Sequence, residues 1–297
     1  MRKRVTFAVF MVAALVSGMV AACATPESNQ SGEAGDQEMR QTGNATFVLV
    51  HGAYLGGWGW KNVTPLLCQR GHTVYAPSLT GLGERAHLGS PDVDLDTHIE
   101  DIVNLLIWED LHDVILVGWS YGGMVVTGVL DRVPERVAHV VYLDADVPYD
   151  GDTAFDFFPE GTDVVAMEQQ AQEMGDGWKT FTDSASEIEF FLAAWIPDDE
   201  MRRWAAERMA WSTQPFSTLN QPISLSNPAA DTVSKTYIRC PLDGEFLANV
   251  YDPIVDRVRD DPLWNVIELS SNHMAPIANP DLVAEALLGV LDSLEEE

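Results

Sequence analysis

Apolar residues after Thr46 fall into two alternating rhythms, and the alternation predicts the architecture. The run FVLV ending at Val50 is short, continuous and followed by Gly52, as expected of a strand buried on both faces of a parallel sheet. A helix-like stretch follows at residues 63–70, then a strand HTVYA at 72–76. The next helix carries Ile99, Ile102, Val103 and Leu106 at i, i+3, i+4 and i+7. The pattern continues with a strand DVILVG at 113–118, a helix after Ser120, and a strand VAHVVYLDA at 137–145. It resumes later with a strand KTYIRC at 235–240, a helix near 247–259 and a strand NVIEL at 265–269. A last helix places Val283, Ala286, Leu287, Val290, Leu291 and Leu294 on one stripe. Strands alternating with helices imply right-handed crossovers and a mostly parallel sheet with helices on both faces. The class is α/β.

Two segments break this rhythm. Residues 148–233 are rich in Phe and Trp (Phe155, Phe157, Phe158, Trp178, Phe190, Phe191, Trp195, Trp204 and Trp211) and show no clear strands, so they are expected to form an insertion over the sheet. At the other break, Arg2, Lys3 and Arg4 precede an apolar stretch at 5–20 and the small residues Ala21 and Ala22. This is the layout of a secretory signal at 1–22, although its length also suits an uncleaved anchor. Val20-Ala21-Ala22-Cys23 resembles a bacterial lipobox, which implies export from a bacterial cytoplasm and a membrane tether through lipidated Cys23. Without the lipid, the protein is expected to be secreted or periplasmic. Residues 23–44 are polar, with Gly and Ser, and read as a flexible tether to a domain at 45–297.

Charge narrows the partners. With 17 Lys and Arg against 46 Asp and Glu, the formal net charge is −29, which repels phosphate backbones and excludes nucleic acid as a partner. Beyond Cys23, Cys68 and Cys240 make no disulfide framework and no zinc-site spacing, and both are expected to be buried thiols.

The chemistry is concentrated at Gly118-Trp119-Ser120-Tyr121-Gly122, a G-x-S-x-G at the junction of a predicted strand and a predicted helix. Glycines let the backbone turn sharply there, so that the Ser120 hydroxyl projects above the sheet edge with a helix N-terminus behind it. A serine hydroxyl needs a base, and the base needs a carboxylate to orient it. His51, His72, His87, His98, His112 and His139 all precede the resumption of the sheet. His273, in SSNHMAP after the last strand, is therefore the expected base. His51 reads as structural, fixing its loop. Asp243, just beyond strand 235–240, is the expected acid, with Asp144, Asp146, Glu245 and Asp252 as competing carboxylates. The oxyanion donors are expected to be the N–H groups of Tyr121, after the nucleophile, and of Ala53, in the loop HGAYLGG after the first strand. No cofactor or metal is needed.

Read together, FVLVHGAYLGGWGWKNV, GHTVYAPSLTGLGERAHL, VILVGWSYGGMVVTGV, RVAHVVYLDADVP, KTYIRCPLDGEF and NHMAPIANPDLVAEAL carry a resemblance across residues 46–294, weakest in the insertion. The chain is similar to α/β-hydrolase-fold esterases of the bacterial EstC and pyrethroid-hydrolase type, relatives of plant methyl esterases and hydroxynitrile lyases. The resemblance implies an α/β-hydrolase fold with a helical lid, a triad of Ser120, Asp243 and His273, and oxyanion donors at Ala53 and Tyr121. It also separates the branches. The lyases look to carry a threonine after the first-loop His and a lysine after the catalytic His, where this chain has Gly52 and Met274. Trp119 stands where many relatives have His, and Tyr54-Leu55 replaces a commoner Trp-His, which is expected to reshape the acyl pocket. The expected function is a serine carboxylesterase for small hydrophobic esters. Alternatives are a lyase-like enzyme and a non-catalytic binding protein on the same fold.

Overall fold

The computed structural model describes residues 44–181 and 184–296. The predicted signal, Cys23 and the tether up to residue 43 lie outside the described residues. In chain order the first strands are β1 (Thr46–Val50), β2 (Thr73–Tyr75), β3 (Val114–Trp119) and β4 (Val137–Leu143). Helices α1 (Thr64–Gln69), α2 (Leu95–Trp108) and α3 (Gly122–Arg132) connect or follow them. The segment after β4 forms α4 (Val164–Met174), β5 (Lys179–Phe181), α5 (Ala185–Leu192), α6 (Asp199–Ala210), β6 (Thr213–Pro215) and α7 (Phe216–Asn220). The chain then returns to the sheet with β7 (Ser234–Arg239), α8 (Glu245–Val258), β8 (Trp264–Glu268), α9 (Ala275–Ala278) and α10 (Pro280–Glu296).

The main sheet is parallel throughout, in the order β2-β1-β3-β4-β7-β8. Every residue of β3 is buried, as the unbroken apolar run VILVGW requires of a central strand covered on both faces. Helix α2 begins where Asp94 accepts the Thr97 N–H at 2.9 Å and Thr97 reaches back to the Asp94 N–H, a capping box. It buries the face carrying Leu95, Ile99, Ile102, Val103 and Leu106, together with His98.

Register decides what emerges where. Val50 pairs with Gly118, Trp119 with Leu143, and Leu143 with Ile238. The loops after β1, β3, β4 and β7 therefore leave the sheet at one carboxyl edge. The chain order reverses direction between β1 and β3, the topological switch point at which open α/β sheets build their crevices.

Three expectations change. The strand expected to run to residue 145 stops at Leu143, because Asp144 takes a φ of 43° and turns the chain out of the sheet. The insertion, expected to lack clear strands, contains an antiparallel β5–β6 pair in which Thr180 faces Gln214. Cys240 is a buried thiol as expected, but Cys68 is disulfide-bonded.

Neighbouring strands are also tied by His139 on β4, whose ring nitrogens meet Ser234 Oγ at 2.7 Å and Thr236 Oγ1 at 2.9 Å on β7. Burial, aided by the charge of Lys235, lowers its pKa from 6.5 to about 4. The folded protein thus resists a proton that the unfolded chain accepts, so this contribution is present above 6.5 and is lost as pH falls towards 4. His139→Gln is expected to flatten the pH dependence of unfolding free energy in that window by about 1.4 kcal/mol per pH unit, one proton's share. Denaturant titrations at several pH values check this, and equal slopes for the two proteins refute it.

Candidate active site

At the end of β3, Ser120 adopts a φ of 56°, a left-handed conformation that is uncommon for a residue with a side chain. The turn is tight enough that a Cβ on Gly123 would lie 1.9 Å from the Asp146 carbonyl oxygen, so only glycine fits there. Helix α3 starts at once, at Gly122. The loop after β1 packs against the same serine: a Cβ on Gly52 would come within 2.9 Å of Ser120 Cβ. The residues expected to supply oxyanion donors, Ala53 and Tyr121, thus flank Ser120 from two loops.

His51 is buried and structural. Its Nδ1 meets Gly52 O at 2.9 Å and its Nε2 accepts the Leu79 N–H at 3.1 Å. Burial lowers its pKa to about 4, so the ring is neutral and Nδ1 carries the proton.

His273 meets Ser120: Nε2 lies 3.0 Å from Ser120 Oγ. Its Nδ1 lies 2.8 Å from Asp144 Oδ2. A carboxylate only accepts, so the proton sits on Nδ1 and Nε2 is left to accept from the serine hydroxyl. This corrects the expected acid. Asp243 approaches the same histidine, but its Oδ1 accepts the main-chain N–H of His273 rather than holding the ring. The reason is geometric. Asp144 leaves β4, the neighbour of β3, at a positive φ that turns its carboxylate across the sheet edge, whereas Asp243 ends a separate turn, Pro241–Asp243, after β7.

Both carboxylates share one cation. Arg239, at the end of β7, donates from Nη1 to Asp144 Oδ1 at 2.7 Å and to Asp243 Oδ2 at 3.1 Å, and from Nε to Asp252 Oδ1 at 2.9 Å. Its side chain is 4% exposed. The Cys240 N–H adds a further donor to Asp144 Oδ1 at 3.1 Å. Burial, then the charge of Asp144, pushes the Asp243 carboxyl up to about 6. Burial and Asp144 likewise raise Asp146 well above the carboxylate range, so this buried residue is disposed to be neutral. Asp252 serves Arg239 and does not touch His273.

Three aromatic residues bound the imidazole. Tyr251 of α8 stacks on it at 5.4 Å and 15°, while Trp119 and Trp195 stand at 6.3 Å and 6.4 Å. Trp119 also donates its indole N–H to the His273 carbonyl at 2.8 Å. It is fully buried, so its effect falls on the histidine loop rather than on the shape of an acyl pocket. Of the aromatic residues singled out in the insertion, Trp195 reaches the site, whereas Phe190 and Trp211 are 85% and 73% exposed.

Sequence reasoning missed Arg239 and Tyr251. Arginine in the apolar strand KTYIRC was a usable signal, because a fully buried arginine is rare unless paired. Nothing local marked Tyr251, which the pitch of α8 carries to the histidine.

Comparison with known proteins agrees with the fold. The model of a family described as the alpha/beta hydrolase family matches residues 47–286. A carbendazim hydrolyzing esterase of Nocardioides sp. (strain SG-4G) is 35% identical over 253 residues, covering 82% of this chain and 98% of that protein. A pheophorbidase of Raphanus sativus is 28% identical, covering 84% and 95%. Among solved structures, a pyrethroid hydrolase from Sphingobium faniae JZ-2 superposes with a TM-score of 0.66 at 24% identity, covering 85% of this chain and 99% of that one. With its parallel sheet, its serine turn and its matched family model, the chain belongs to the alpha/beta hydrolase family, as a member of its esterase type.

Proposed function

We propose that the protein is a serine carboxylesterase that hydrolyses small, uncharged, hydrophobic esters through an acyl-enzyme, with Ser120, His273 and Asp144 as its triad. The observation that carries this reading is the line of contacts from Ser120 Oγ through both nitrogens of His273 to the Asp144 carboxylate. Asp144 holds the proton on Nδ1, so Nε2 takes the Ser120 proton as Oγ bonds to the ester carbonyl carbon. The negative charge that develops on the carbonyl oxygen is received by the Ala53 and Tyr121 N–H groups. Collapse breaks the bond to the alcohol oxygen, which takes the proton from Nε2. Water then loses a proton to Nε2 and attacks the acyl carbon; the acid leaves as Ser120 regains its proton.

Asp243 has a supporting place in this scheme, holding the main chain of His273. The aromatic surroundings and the −29 net charge favour neutral apolar substrates over anionic ones. Lyase chemistry is disfavoured because Gly52 offers no hydroxyl, and a side chain there would crowd Ser120. Position 274 is a buried methionine with no cation to offer. The basic residues and apolar run at the N-terminus support export.

Ser120→Ala is expected to lower kcat on p-nitrophenyl butyrate by about 10⁴-fold or more. Equal turnover by the two proteins would refute Ser120 as the nucleophile, absence of turnover by wild type would leave a binding function, and cyanide release from mandelonitrile would restore the lyase. Asp144→Asn should cost about 10³-fold or more in kcat through loss of the correct tautomer, and Asp243→Asn about 10-fold through a loosened histidine loop. The reverse ranking would return the acid's role to Asp243.

A further inference from the structure

The insertion is joined to the site by a buried chain of hydrogen bonds. Tyr54, which directly follows Ala53, has a φ of 58°, a conformation that its surroundings must hold. Its main-chain N–H donates to Gln214 Oε1 on β6 at 2.8 Å. Its hydroxyl donates to Thr180 Oγ1 on β5 at 2.9 Å, and Thr180 Oγ1 donates to the Gln214 carbonyl at 2.8 Å. On its other side Gln214 donates from Nε2 to Thr218 Oγ1 at 2.9 Å, and Thr218 Oγ1 donates to the Pro215 carbonyl at 2.7 Å. Thr180, Gln214 and Thr218 are all 0% exposed. Because a peptide N–H can only donate, the carbonyl end of the Gln214 amide must face Tyr54.

The cluster also reaches the second loop. Thr218 lies against the Tyr121 side chain, whose hydroxyl donates to His98 Nδ1 at 2.8 Å. His98 Nε2 lies 2.9 Å from the Thr80 carbonyl, which fixes the proton on Nε2 and leaves Nδ1 to accept from Tyr121. Thr218 therefore stands between Gln214 and the residue that follows the nucleophile.

We infer that Gln214 is a positioning residue for the oxyanion hole, its amide tying the β5–β6 hairpin to the Ala53–Tyr54 peptide and holding Thr218 in its place against Tyr121. The inference rests on the esterase reading above. Donors aimed at a developing oxyanion act more strongly in the transition state than on bound substrate. Loosening the Ala53–Tyr54 peptide frees the adjoining Gly52–Ala53 peptide, which carries the Ala53 N–H, and should therefore reduce kcat and leave KM nearly unchanged. It also makes the insertion part of the catalytic frame, because a shift of the hairpin moves the loop that carries Ala53.

The test compares wild type, Ser120→Ala and Gln214→Met in the full chain, with p-nitrophenyl butyrate as substrate and phenylboronic acid as a tetrahedral mimic on Ser120. Gln214→Met is expected to lose about 10-fold in kcat, less than complete removal of an oxyanion donor, and to weaken boronate binding by a similar factor with KM little altered. Tyr54→Phe, which keeps the N–H bond to Gln214, should lose less. If Gln214→Met does not fold, Thr218→Val removes the Nε2 acceptor and the bond to the Pro215 carbonyl while leaving the Gln214–Tyr54 bond, and is expected to give a smaller loss of the same kind. An active wild type, an inert Ser120→Ala and a Gln214→Met with unchanged kcat and boronate affinity, or with a loss confined to KM, overturn this inference alone. A wild type inert towards esters, or an active Ser120→Ala, overturns the esterase reading and this inference with it.

Discussion

The site depends on one buried guanidinium. Asp144 and Asp243 both close on His273, and two carboxylates so placed in a low-dielectric interior repel one another enough to drive one towards protonation. Arg239 donates to both from a single nitrogen, which lets Asp144 hold the imidazole and Asp243 hold its main chain together. The sheet delivers that cation: the pairing of Leu143 with Ile238 sets Arg239 directly beside the turn at Asp144. Strand register and catalytic geometry are thus one constraint, since a shifted β7 would leave the carboxylates without their common partner.

Around that ion cluster, labour is divided by atom. The histidine sits in a connecting loop with little regular structure to hold it, so each of its polar groups is separately engaged. The N–H goes to Asp243, the carbonyl to Trp119, Nδ1 to Asp144 and Nε2 to Ser120. Tyr251 lies against the ring face. The loop after β1 is built by the same logic, with its left-handed residue Tyr54 held from the insertion by Gln214 and Thr180. Loops can be as accurate as strands when every main-chain donor near the chemistry has a buried partner.

Much of this was legible in the chain. Periodicity separated strands from helices because each element repeats its burial at its own spacing, and the serine turn was legible because its glycines and its nucleophile are adjacent in sequence. His273 could be reached through chain order. The acid could not, because Asp144 and Asp243 each follow the end of a parallel strand, and neither motif records where its side chain points. The positive φ of Asp144 and the position of Arg239 decide that. Trp119, read as a pocket residue, turned out to hold the histidine loop, a contact between residues 119 and 273 that exists only once the sheet is assembled.

By itself, then, the sequence determined the α/β alternation, the nucleophile's turn and the candidate base, all properties that neighbouring residues settle among themselves. Tertiary structure alone decided which carboxylate holds the imidazole, that one arginine serves both acids, and that Gln214 of the insertion reaches the loop after β1. Those contacts join residues 95 to 160 positions apart or share a partner across strands, and their directions follow from sheet register and loop turns rather than from local pattern.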